Sequence, residues 1–90
     1  MITITGDITI QDNNGQQITI NANDLGFEVT HTEEGKMGSK RTWSASWESD
    51  GIQIDISIEE YSDGFPNNGF SIDIDNGTLV KNNLSAENAG

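Results

Sequence analysis

Isoleucine recurs at every second position through much of this chain. All of the isoleucines carry even numbers: Ile2, Ile4, Ile8, Ile10, Ile18, Ile20, Ile52, Ile54, Ile56, Ile58, Ile72 and Ile74. Successive side chains of a β-strand point to opposite faces, so this period predicts strands that bury one face only. No apolar run repeats at helical spacing. We therefore expect no helix except a possible turn over residues 84–88, with Ser85 as its N-cap.

Three short loops predict hairpins that bring these apolar faces into register. They lie at residues 13–15, 50–51 and 76–77, and each contains glycine after asparagine or aspartate. Such loops favour tight turns, and we expect Gly51 and Gly77 to take positive φ angles there. The facing pairs predicted across the strands are Ile8 with Ile20, Ile10 with Ile18, Trp43 with Ile58, Ala45 with Ile56, Trp47 with Ile54, and Ile74 with Leu79.

The strand pattern predicts an all-β fold. We expect an antiparallel meander of about six or seven strands that closes into a small β-sandwich or a flattened barrel. Residues 1–82 are predicted to form a single domain, followed by a flexible tail at 83–90. The aromatic side chains expected to pack against the isoleucine rows are Phe27, Trp43, Trp47 and Phe70.

The residue types present disfavour most catalytic chemistry. The chain has no Cys, and its single histidine, His31, is predicted on the same strand face as Phe27 and Val29. There is no phosphate-binding glycine motif and no nucleophile elbow. We therefore expect a non-enzymatic protein without a cofactor. A weak calcium site of loop oxygens near Asp73–Asp75 stays open.

The charge of the chain limits its partners. Fifteen acidic residues stand against four Lys or Arg, for a net charge of -11. This balance disfavours direct binding to nucleic acid or to an anionic membrane, and favours a basic protein. No apolar stretch is long enough to span a membrane and no signal peptide is recognisable, so we expect a cytoplasmic location. Lys36, Lys40 and Arg41 gather near one predicted loop.

The acidic residues concentrate on one predicted strand face. Between Thr42 and Val80 there are eight acids and no Lys or Arg. The registers above place Ser46 beside Asp55. If Ile56 pairs with Ile72 on the next strand, Asp73 lies on the other side of Asp55, with Glu28 in the same row and Glu48 and Asp75 in the next. The candidate partner-binding residues are Glu28, Glu48, Asp55, Glu59, Asp73 and Asp75.

Two interpretations of this face remain open. The carboxylates can be gatekeepers that keep aggregation-prone strands apart. They can instead form a docking surface that mimics nucleic-acid phosphates and binds a basic, nucleic-acid-binding protein. In general character the chain resembles phage anti-defence proteins such as anti-CRISPR inhibitors, and immunity proteins that neutralise toxins. The alternatives are an assembly domain that self-associates through edge strands, including as a homodimer, and, less favoured, a hydrolase using paired carboxylates.

Overall fold

A computed structural model describes residues 1–36 and 38–88, the side chain of Asn68 excepted. These residues form nine strands and one short helix, which confirms the predicted antiparallel β structure but exceeds the six or seven strands expected. The strands are β1 (Ile2–Thr5), β2 (Asp7–Asp12), β3 (Gln17–Asn21), β4 (Glu28–Gly35), β5 (Gly38–Ser49), β6 (Ile52–Tyr61), β7 (Pro66–Asp75), β8 (Gly77–Asn82) and β9 (Ser85–Asn88). The helix α1 (Ala22–Leu25) lies between β3 and β4.

The strands form three antiparallel sheets. One has the order β3-β2-β8, one has the order β4-β5-β6-β7, and the third consists of β1 and β9. Among the described residues β4 and β7 each have a strand partner on one side only, so the sheets do not close into a barrel. The flattened-barrel alternative is therefore wrong.

The isoleucine rows of the two larger sheets meet in one buried cluster. Its members are Ile8, Ile10, Ile20, Leu25, Ala45, Ile52, Ile54 and Ile56. Phe27, Trp47 and Phe70 pack against this cluster, as the sequence predicts, and the rings of Phe27 and Phe70 lie 6.1 Å apart. Burial of these apolar side chains stabilises the fold and leaves the opposite face of each strand to solvent.

Two of the predicted turns are confirmed and the third is wrong. Asp50 and Gly51 both have positive φ angles, and the hairpins around residues 13–15 and 50–51 have the predicted registers. After β7, however, Asn76 takes the positive φ of 63°, and no such angle occurs at Gly77. The chain then leaves its sheet, and Leu79 faces Ile10 rather than Ile74. A Cβ atom on Gly77 would lie 3.1 Å from the Gln11 carbonyl oxygen, so glycine permits this close approach to β2.

A β-bulge in β4 reverses the faces predicted for its second half. Val29 pairs with Trp43, but His31 pairs with Thr42, so Thr30 is the extra residue. One inserted residue moves every later side chain to the other face. His31 is therefore exposed on the solvent side of the sheet, and the prediction that it shares a face with Val29 is wrong.

The two ends of the chain pair with each other. Ser85–Asn88 forms β9 beside β1, so the expected flexible tail at 83–90 and helical turn at 84–88 are corrected to a strand; residues 89–90 lie outside the described part. The segment pairs there because the backbone N–H and C=O groups of β1 would otherwise have no strand partner for their hydrogen bonds.

The short helix α1 was also not predicted. It buries Ala22 and Leu25 and ends at Gly26 in the left-handed conformation.

Candidate protein-docking face

Four carboxylates lie on the solvent side of the sheet formed by β5, β6 and β7. We call this surface the acidic face and define it by Glu48, Asp55, Asp73 and Asp75, all of which are exposed. The alternation of each strand produces it, because the even-numbered isoleucines of β6 and β7 point inward and the aspartates between them point outward. The hydrophobic core thus holds these carboxylates on one side of a regular sheet.

Asp55 and Asp73 occupy directly opposed positions on β6 and β7, as the sequence predicts. Opposed residues on antiparallel strands have Cβ atoms about 5 Å apart, and like charges at that distance repel each other. Asp55 accepts a 2.7 Å hydrogen bond from the Ser46 hydroxyl and a 3.5 Å contact from the Gln53 amide. Asp73 has no hydrogen bond or ion pair within the described residues, so its oxygens are open to a partner.

The second row of the acidic face is also confirmed. Glu48 and Asp75 flank Gln53 on either side. Residues two apart along a strand are separated by about 6.6 Å, which is the distance between this row and the row of Asp55 and Asp73. The arrangement can accept several charge-assisted hydrogen bonds from lysine or arginine at once.

Hydroxyl groups border the acidic face on its other side. Ser44, Ser57 and Ser71 form the row next to Asp55 and Asp73. Together with these two aspartates they line a surface depression of about 240 Å³. Serine can both donate and accept hydrogen bonds, so the depression can receive a polar side chain as well as a cationic one.

Glu28 does not lie in the row predicted for it. It pairs with Ser44 and therefore sits two positions away from the expected neighbour, Ser46. Its register is set by the tight hairpin, in which Gly35 pairs with Gly38, and by the bulge at Thr30, which shifts the pairing of the residues before it. Glu28 remains exposed on the same sheet but lies beside the hydroxyl row.

Glu59 forms an ion pair with Lys40. Its carboxylate lies 2.8 Å from the Lys40 ammonium, which also lies 3.6 Å from Glu33. The hydrogen bond and the negative charge of Glu59 raise the pKa of Lys40. Lys40 thus offsets the charge of Glu59, and the role of Glu59 as a partner-binding residue stays a prediction.

Glu60, one of the eight acids between Thr42 and Val80, is buried on the inner side of the sheet. Its side chain is 2 % exposed. It accepts a 2.7 Å hydrogen bond from the Trp43 indole and lies 2.8 Å from the amino group of Met1. Burial would raise the pKa of Glu60, but these two hydrogen bonds, the Met1 ammonium charge and the Arg41 charge outweigh it and lower the pKa. The sequence contains a signal for this burial, because Glu60 has an even number and therefore lies on the same strand face as the isoleucines of β6.

The part of the chain that the structure describes holds neither a cluster of metal ligands nor a membrane-spanning helix. No three His, Asp or Glu side chains there converge as a metal site would require, including around Asp73 and Asp75. No helix there is long and apolar enough to cross a membrane.

Comparison with protein-family models, with curated proteins and with solved structures finds no match to this chain.

Proposed function

We propose that this chain is a non-enzymatic, cytoplasmic inhibitor whose acidic face docks on the basic surface of a nucleic-acid-binding protein. The observation that carries the proposal is the opposed pair Asp55 and Asp73. Two exposed carboxylates facing each other across neighbouring strands repel, and the repulsion costs a few tenths of a kcal/mol or more. A surface selected only against aggregation gains equal protection from mixed charges without that cost.

The local charge of the sheet supports the same proposal. From Thr42 to Val80 the sequence holds eight acids and no Lys or Arg, so no cation within β6 or β7 offsets the acidic face. Carboxylates in successive rows about 6.6 Å apart offer a basic surface a series of anionic contacts like those of a nucleic-acid backbone. Phage anti-defence and immunity-type inhibitors are the class of protein that this arrangement suits best.

The packing beneath the face favours a preorganised surface. We propose that the two larger sheets form the layers of a small β-sandwich, because one buried cluster contains side chains from both, including Ile10 and Ile54. Close-packed interiors resist deformation. A face held in this way presents its charges without ordering on binding, which lowers the entropic cost of association.

Affinity capture with a matched variant tests the proposal. The wild-type chain and the Asp55→Asn, Asp73→Asn double variant are immobilised separately, and a lysate of the host cell is passed over each at low salt. We expect the wild type alone to retain a basic nucleic-acid-binding protein, which is released by added duplex DNA or RNA or by raised salt.

The outcomes separate docking from gatekeeping. Release of the retained protein by nucleic acid means that the acidic face covers its nucleic-acid site. Equal retention by both resins, or retention that nucleic acid does not disturb, contradicts the proposal.

A further inference from the structure

β3 is an unprotected edge of the three-stranded sheet. It lies at the end of the order β3-β2-β8, and within the part of the chain that the structure describes no strand pairs with its other side. An edge strand presents backbone N–H and C=O groups with which another extended segment can pair, and proteins commonly protect such edges with charged residues, proline or bulges. β3 has none of these, and residues 13–23 are the longest stretch of the chain without a charged side chain.

The other outer strands of the two larger sheets carry such protection. β4 contains three glutamates and a bulge. β7 begins at Pro66 and carries Asp73 and Asp75. β8 carries Lys81 and pairs with β2 through a shift of register. β3 differs from all of them because it is both regular and neutral, so it is the edge best suited to accept another strand.

The backbone groups of alternate residues of β3 face this open edge. Asp12 donates its N–H to the Gln16 carbonyl at 2.9 Å, and hydrogen-bonded pairs alternate with non-bonded pairs along an antiparallel ladder. Ile18 and Ile20 therefore direct their backbone groups to β2. The remaining residues of β3 direct their N–H and C=O groups away from β2: Gln17, Thr19 and Asn21.

We propose that a second copy of this chain adds to β3, with the two β3 strands antiparallel and a two-fold axis at Thr19. The strand reads Gln-Ile-Thr-Ile-Asn, so this register places each residue opposite one of similar chemistry. Thr19 faces Thr19 of the second copy, and Ile18 faces Ile20. At the ends of the ladder Gln17 faces Asn21. The contact is therefore self-complementary, as the two-fold interface of a homodimer must be.

This pairing extends both the backbone ladder and the core. The outward-facing residues form hydrogen-bonded pairs, each of which exchanges two bonds. Ile18 is half-buried at the open edge and already packs against the core cluster, so an isoleucine of the second copy covers its exposed part.

Charge opposes the pairing without preventing it. Each copy carries a net charge of -11, but β3 is neutral and the acidic face lies on the other large sheet. Salt screens charges that lie more than about 8 Å apart at physiological ionic strength, so we expect the dimer to strengthen as salt is raised. The acidic face stays open in this dimer, and the inference does not depend on the function proposed above.

Cysteine cross-linking tests the register. The chain has no Cys of its own. Facing residues of a hydrogen-bonded antiparallel pair have Cα atoms about 5.5 Å apart, which a disulfide can span. Under mild oxidation we expect Thr19→Cys to form a covalent dimer at least ~10-fold faster than Thr9→Cys, which lies opposite Thr19 on the central strand β2. Equal rates would overturn the proposed register.

Sedimentation of the unlinked protein at several concentrations, in about 0.5 M salt, tests the dimer itself. Thr19→Lys should weaken dimerisation at least ~10-fold, because like charges then face each other across the axis. Thr9→Lys is the matched control, since it adds the same charge and removes the same Thr9–Thr19 hydroxyl hydrogen bond.

Hydrogen exchange in the wild type identifies the edge that pairs. The amides of Gln17, Thr19 and Asn21 should become more protected as the protein concentration rises, whereas those of Ile18 and Ile20 should be protected throughout. A monomer at every concentration, equal effects of the two lysine substitutions, or concentration-dependent protection at β4 or β7 instead of β3 overturns the proposal.

Discussion

The indole nitrogen of Trp43 donates a 2.7 Å hydrogen bond to Glu60, whose other carboxylate oxygen faces the amino group of Met1 at 2.8 Å. The three groups belong to β5, to β6 and to the residue before β1. Their contacts therefore join the β1–β9 pair to the four-stranded sheet through a buried charge. An unpaired carboxylate at this depth would be strongly unfavourable.

Replacing the buried carboxylate should destabilise the fold. Glu60→Gln keeps an oxygen that can accept from Trp43 but loses the charge that pairs with the Met1 ammonium. We expect a loss of about 1–3 kcal/mol in the free energy of unfolding, measured by urea denaturation at neutral pH. Glu87→Gln, at an exposed site on β9, is the control and should change stability little. Equal effects of the two substitutions would mean that the buried contacts contribute nothing.

The same carboxylate predicts a pH dependence. The pKa of Glu60 is lowered in the folded state, so its stabilisation is fully present above the unfolded pKa and is lost as pH falls through the folded pKa. Acidification also relieves repulsion among the exposed acids. The quantity to follow is therefore the difference in unfolding free energy between the wild type and Glu60→Gln. That difference should shrink below about pH 4; a difference that stays constant to lower pH would contradict the lowered pKa.

The turn at Asp50 and Gly51 offers a test of the predicted register. Gly51 has a φ of +81°, and a Cβ added there would meet no atom within 4 Å. Gly51→Ala should therefore cost about 1–2 kcal/mol from backbone strain alone. Gly69→Ala is the matched control, since it also has open space but no positive φ. Thermal or urea unfolding of both variants checks this, and a neutral Gly51→Ala would argue for a different turn.

Alternating apolar residues and turn chemistry were sufficient to predict most of the strands and two of the hairpins, because both are local properties; β9, which has no such alternation, was not predicted. The pair of Asp55 and Asp73 followed from the further assumption that Ile56 pairs with Ile72, which the structure bears out. Thr30 could not be recognised as a bulge by the same reasoning, although continued alternation would have placed Glu33 on the apolar face. The close approach of Gly77 to Gln11 depends on a contact between distant segments. Local sequence patterns do not predict such packing between distant segments, so the pairing of β8 with β2 was not predicted.

Removing a cation from the sheet should strengthen partner binding. Lys40→Gln frees Glu59 and Glu33 from their ion pairs and enlarges the acidic surface. We expect faster association with the captured basic partner, measured by stopped-flow or surface-based kinetics. Lys81→Gln makes the same change in net charge on β8, opposite Thr9 and in a different sheet. If both variants accelerate binding equally, total charge rather than the sheet surface controls association.

Binding of a basic partner to the acidic face is best tested by the association kinetics of Asp55→Asn combined with Asp73→Asn. Rates are measured against the captured partner at several salt concentrations, together with a melting curve for each protein. Asp24→Asn combined with Glu87→Gln serves as a control of equal charge. We predict unchanged or slightly higher stability for the face variant, slower association, and a weaker salt dependence than in the wild type or the control. Association and salt dependence equal to those of the control would contradict the claim and leave these carboxylates as gatekeepers.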